Sequence, residues 1–171
     1  GYTWEQRIIT NEVLGQKAQD LQSCFATSGA GTQKMQDPYR GRLLQQTACV
    51  KKDGTILAMT IYSDDHGETW HSGNFTSVTD GADGGSWVFD ENKVVELSDG
   101  RLMLNSRTHG ASAAIGHRIV AISDDGGVTW KDYRTQTDLI DPGNNAQIIR
   151  AFPNAEPGTL RSKVLLFSNT K

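Results

Sequence analysis

The sequence predicts an all-β protein of the propeller type, built from stacked four-stranded antiparallel sheets. Two observations lead there. Short segments rich in Val, Ile, Leu and Thr recur between clusters of Gly, Asp, Asn and Pro. In addition, the stretch "SDDHGETW" at 63–70 returns as "SDDGGVTW" at 123–130, sixty residues later, and the opening "GYTW" reads as the tail of another copy. A repeat at that interval is what blades of about four strands each produce. A β-sandwich would not require the same turn at a fixed spacing.

Taken in order, "QRIIT" (6–10) reads as a strand, and "NEVLGQKAQDLQS" (11–23) as a loop or a single helical turn, because Gly15 interrupts it. Further strands are expected in "RLLQQTACV", "TILAMTIYS", "KVVEL", "RLMLNSR", "HRIVAIS", "AQIIRAF" and "KVLLFSN". In the repeated turn, Gly67 and Gly127 supply the positive φ a hairpin needs. Asp65 and Asp125 accept hydrogen bonds from the turn backbone, and Ser63 and Ser123 open the motif. Trp70 and Trp130 are expected to bury their rings beneath the turn and lock one blade to the next. A calcium loop is excluded, since its ligand spacing and distal Glu are absent. The motif is therefore read as structural.

Composition narrows the function classes. The chain has 171 residues, 36% hydrophobic and 22% charged, with a net charge of −3. That balance argues against a general nucleic-acid surface, and no apolar run is long enough to span a membrane. The four histidines show no metal-ligand spacing, so no metal is expected. Two cysteines do not make a disulfide framework, and Cys24 and Cys49 are expected to be separate, half-buried thiols.

The hairpin "ENKVVELSDGRLMLNSR" carries the chemistry. With a three-residue turn at Ser98-Asp99-Gly100, Glu91 falls opposite Arg107, with Cβ atoms roughly 5 Å apart. Carboxylate and guanidinium then meet at the open end of the hairpin. The turn and the repeated motif lie on one face of the blade, while Glu91, Arg107 and the loop Thr108–Gly116 lie on the other. Taken alone, such a pair reads more readily as a surface salt bridge.

The pattern Ser-x-Asp-x-Gly-x-Thr-Trp resembles the Asp box of sialidases (neuraminidases), and "DENKVVELSDGRLMLNSR" (90–107) resembles the central catalytic stretch of bacterial exo-α-sialidases. "GRLLQQ" and "DPGNNAQIIRAFP" are similar to that family too. The resemblance implies a six-bladed propeller, of which residues 1–171 would be a central part of about three blades. It also implies hydrolysis of terminal sialic acids with retention and without a cofactor. Of the family's arginine triad, tyrosine–glutamate pair and acid/base aspartate, only the glutamate (Glu91) and the middle arginine (Arg107) have counterparts. The others would lie before Gly1 or after Lys171, so the chain alone is expected to turn over no sialoside.

The resemblance also places Asn144 near the sugar's polar groups and Phe25 on the pocket wall, with an ordinary loop turn and a core aromatic as the plain alternatives. Asp90 adjoins Glu91 and either contributes to binding or caps the start of the strand. The segment His71–Phe89 is a candidate specificity loop. Implied partners are sialylated oligosaccharides, glycoproteins or gangliosides, acted on by a monomeric enzyme, secreted or at the surface of a bacterium. The rival readings are a non-catalytic Asp-box propeller binding carbohydrate or protein, and a trans-sialidase-type relative.

Overall fold

The computed structural model describes residues 3–77, 87–109 and 115–170. After a short helix α1 (Thr10–Leu14) and a 3-10 turn (Gly15–Asp20), eleven strands follow: β1 (Leu21–Ala26), β2 (Thr32–Gln33), β3 (Leu43–Lys51), β4 (Ile56–Ser63), β5 (His71–Ser72), β6 (Asn92–Glu96), β7 (Leu102–Ser106), β8 (His117–Ser123), β9 (Lys131–Ile140), β10 (Gln147–Arg150) and β11 (Leu165–Ser168). They form three antiparallel sheets. The first has the order β1-β3-β4-β5, with β2 also on β3; the second is β6-β7-β8-β9; the third is the hairpin β10-β11. These are antiparallel sheets of the propeller type that the turn repeat predicts. No helix among the described residues is long and apolar enough to cross a membrane.

Three expectations need correction. "QRIIT" is not a strand: Ile8 lies 80% exposed, and the chain runs irregularly into α1. Strands β1 and β9 were not anticipated from composition, for reasons of patterning taken up below. Cys24 and Cys49 are not separate thiols; they are direct partners in the β1–β3 ladder and form a disulfide.

The first two sheets share a core of Leu44 and Ala58 on one side and Trp87, Phe89, Val94, Leu102, Leu104, Ile119 and Ala121 on the other. Trp130 joins this core, and its indole Nε1 donates to Thr60 Oγ1 of the neighbouring sheet at 3.3 Å. That ring locks two blades as expected, and truncating such a buried aromatic typically costs about 3–5 kcal/mol. Trp70 differs. Its Nε1 donates to Gly67 O within its own turn, and the half-buried ring packs on a second cluster with Val13, Leu21 and Ile61. It locks α1 to the first sheet rather than blade to blade.

Both repeated turns are built alike. Ser63 Oγ and Ser123 Oγ each donate to the Asp two residues on and accept the N–H of Gly67 or Gly127. Asp65 and Asp125 accept from the backbone and hydroxyl of Thr69 and Thr129. Gly67 and Gly127 have φ of 95° and 91°. At Gly127 a Cβ would press on Leu44 and Thr60 at 3.2 Å, so close docking as well as conformation favours glycine there.

Burial pushes the Asp125 carboxyl up, but the hydrogen bonds from Thr129, Ser123 and Val128 outweigh it and hold its pKa below the usual range. A depressed folded-state pKa gives stability that is full above the unfolded value, about 3.9, and is lost as pH falls through the folded value. Asp125→Asn in the full-length protein should therefore lower stability at pH 7 by about 1–2 kcal/mol. The deficit should shrink as pH drops below 4, as read by urea titrations at pH 7 and pH 3.

Candidate functional site

The β6–β7 hairpin has the register that its turn dictates: Asn92 pairs with Ser106 and Glu96 with Leu102. One step beyond Asn92, Arg107 N donates to Glu91 O at 3.1 Å, and Arg107 Nη1 donates to Glu91 Oε2 at 2.9 Å. The two side chains are 21% and 24% exposed, so the pair is open to a ligand yet screened from bulk water on its inner side. The opposition of Glu91 and Arg107 read from the sequence is the geometry found. The same ladder carries Leu102 to Ser123 and Ser106 to Ile119. The Asp-box turn therefore sits at one end of the sheet and the Glu91–Arg107 pair at the other.

Asp90 does more than cap the strand. Its carboxylate lies 3.6 Å from Arg107 Nη1 and 2.8 Å from His109 Nδ1. Arg107 thus meets two carboxylates on one nitrogen, while its Nε is buried without a partner among the described residues. Two anions around one nitrogen hold the orientation of the guanidinium.

Beneath this pair lies a group that the sequence reading missed. Arg118, on β8, is fully buried. Its Nε donates to Asn105 Oδ1 at 2.8 Å, and its other nitrogens approach Asp141 Oδ1 at 3.5 Å, Asn144 O at 3.2 Å and Glu91 O at 3.5 Å. Burial lowers the pKa of Arg118, and the charge of Asp141 opposes that shift. Asp141 in turn accepts from Thr108 N and Thr108 Oγ1 at 2.6 and 2.9 Å, and from Gly143 N at 3.0 Å. No local signal marks Arg118, which sits in the strand-like "HRIVAIS" among apolar neighbours.

Asn144 is exposed, its Nδ2 donates to Thr170 Oγ1 at 2.7 Å, and its carbonyl accepts from Arg118. Phe25 is 47% exposed on β1 opposite Ala48, so it is no core aromatic. Two residues on, Thr27 Oγ1 donates to Asn92 O at 2.8 Å, which brings this strand beside the start of β6. Lys93, another residue not singled out from sequence, is buried, and burial lowers its pKa while Glu91 opposes that shift. It lines a cavity of about 430 Å³ with Gly29, Gln147 and Asn169. Residues 78–86 of the candidate specificity loop, and 110–114 of the loop after Arg107, lie outside the described residues.

Comparison with known proteins gives the same direction. No family model matches the chain. A sialidase of Micromonospora viridifaciens is 47% identical over 169 residues, which is 99% of this chain and 24% of that protein. Among solved structures, a Hadza microbial sialidase, Hz136, matches with TM-score 0.65 and 31% identity, covering 87% of this chain and 26% of that one. A leech intramolecular trans-sialidase in complex with 2,7-anhydro-Neu5Ac matches with TM-score 0.58 and 26% identity, over 74% of this chain and 17% of its own. The resemblance to sialidases therefore extends over nearly the whole chain, which spans about a quarter to a third of the length of the curated relatives it matches.

A partly exposed ion pair contributes about 0–1 kcal/mol. Glu91→Gln in the full-length protein should accordingly change unfolding free energy by no more than about 1 kcal/mol in a urea titration.

Proposed function

We propose that this chain is an inner portion of a sialidase catalytic propeller, and that Glu91 and Arg107 act directly in removing terminal sialic acid from glycoconjugates. The observation that carries this reading is the opposed pair at the open end of the β6–β7 hairpin, 2.9 Å apart and partly exposed, with Asp90 behind it. The substrate is the glycoside of an α-keto acid, so a carboxylate sits on the reacting anomeric carbon. Arg107 offers that carboxylate planar paired donors and stays charged at any working pH. A carboxylate nucleophile would be repelled by the substrate's own charge, and a neutral tyrosine avoids this, as in the sialidase exception to the two-carboxylate scheme.

A tyrosine with a pKa near 10 needs an adjacent base. Glu91 takes that proton and returns it as the glycosyl–tyrosine bond is hydrolysed, which gives retention overall. The tyrosine, the acid/base aspartate and the two further arginines come from parts of the protein beyond this chain. Asn144 and Phe25 contact the sugar from the rim. Substrates of this kind are displayed outside cells, which favours a secreted or cell-surface enzyme. A second reading, transfer of the sialyl group within one substrate, is favoured by the similarity to the leech trans-sialidase. Both share Glu91 and Arg107, and product analysis separates them.

Two substitutions in the full-length protein test the roles. Glu91→Gln should cut kcat on an aryl sialoside by about 10²-fold or more, the range for loss of a general base. Turnover within twofold of wild type would refute that role. Arg107→Lys keeps the charge but loses the paired geometry, so binding of free sialic acid should weaken by about tenfold. An unchanged calorimetric titration would remove Arg107 from the carboxylate grip.

A further inference from the structure

We propose that Arg118 and Asp141 form a positioning pair that sets the active face from below, an inference that rests on the roles given above to Glu91 and Arg107. Neither residue reaches the open face: both side chains are completely buried. Yet their contacts converge on the residues that do. Arg118 approaches the carbonyl of Glu91 and donates to the carbonyl of Asn144, while Asp141 holds both the N–H and the hydroxyl of Thr108, the residue that follows Arg107. One buried ion pair therefore grips the backbone beside the base, beside the arginine and at the rim loop. Asn105 fixes the guanidinium from the opposite side through Nε.

A purely structural role explains this poorly. Taking two charges out of water costs several kcal/mol per ion, and buried pairs can often be replaced by apolar residues without loss of stability. An apolar pair would fill the same space but would leave the Glu91, Thr108 and Asn144 backbone ungripped. The geometry thus points to placement of these groups, and not stability alone, as what the pair supplies. Displacements of about 1 Å at a reacting centre can cost about 10²-fold in rate.

The test uses the full-length protein with two variants. Arg118→Met combined with Asp141→Leu removes both charges together, so that neither is left buried alone. Arg118→Lys keeps a buried cation but cannot serve four separated acceptors at once. For the double variant, which leaves Thr108 N–H and Asn144 O without these partners, we expect a cooperative melt at a lower temperature than wild type and a kcat on a fluorogenic sialoside lower by about 10²-fold. For Arg118→Lys we expect a kcat lower by about tenfold with KM within threefold. A crystal structure of the double variant should show the Glu91–Arg107 contact opened from its 2.9 Å. A folded double variant with kcat within twofold of wild type, or an unmoved Glu91–Arg107 contact, overturns the proposal. If the double variant does not fold, kcat and a crystal structure of Arg118→Lys are read against the same criteria. A wild-type protein without sialoside turnover would defeat the functional reading instead, and the crystallographic comparison would still decide whether the pair positions Glu91.

Discussion

The register of the β6–β7 hairpin is the constraint on which the rest depends. Side chains alternate along a strand, so a slip of one residue would send every group to the opposite face. The turn at Ser98–Gly100 prevents it, with Gly100 at a φ of 83°. That register sets Glu91 against Arg107 at one end of β6 and delivers Glu96 to the other. There Glu96 accepts from Lys34 Nζ at 2.9 Å and from the backbone N–H groups of Met35 and Gln36 at 2.8 and 3.0 Å, and lies 3.8 Å from Arg150. Lys34 follows the inner edge of the first sheet and Arg150 ends β10 of the third. One carboxylate gathers three sheets.

The Asp-box turns then become intelligible as packing devices. Arg42 lies between the rings of Tyr39 and Tyr62, at 4.0 and 4.1 Å, and grips Asp64 with two bonds of 2.7 Å. From there its Nη1 donates to Gly126 O of the second Asp box at 3.0 Å. The turn of one blade is thus held by a residue of the blade before it, while Gly127 fits between Leu44 and Leu102. All of this happens at the sheet end opposite Glu91. Stability is concentrated at one face, and the other is left to hold polar groups in place.

How much of this could be read beforehand follows from the range of each interaction. The Glu91–Arg107 opposition and the two turns were legible because strand alternation and turn length fix them within about twenty residues of chain. Strand β9 was not, since as an outer strand it alternates between exposed and half-buried positions and shows no apolar face in "KDYRTQTDLI". Strand β1 was missed for the same reason, with only Leu21 buried. The hydrophobic "QRIIT" misled in the other direction, because Ile9 is recruited to pack on the second cluster from a non-strand backbone. Lys34–Glu96, Arg118–Asp141 and the Cys24–Cys49 bridge join residues 62, 23 and 25 positions apart. No local pattern encodes such partners; Cys24–Cys49 and Arg118–Asp141 emerge only once strands pair, and Lys34–Glu96 only once the sheets are stacked.

Two ion pairs of the same chemical kind on one hairpin also show how burial assigns different tasks. Lys34–Glu96 is 1% and 2% exposed, and removing one partner from such a pair typically costs about 3–5 kcal/mol. Glu91–Arg107, open to water, is worth about 0–1 kcal/mol. A carboxylate arriving from solvent can therefore take over the Arg107 guanidinium at little cost, while Glu91 remains anchored through its backbone on the β6–β7 ladder.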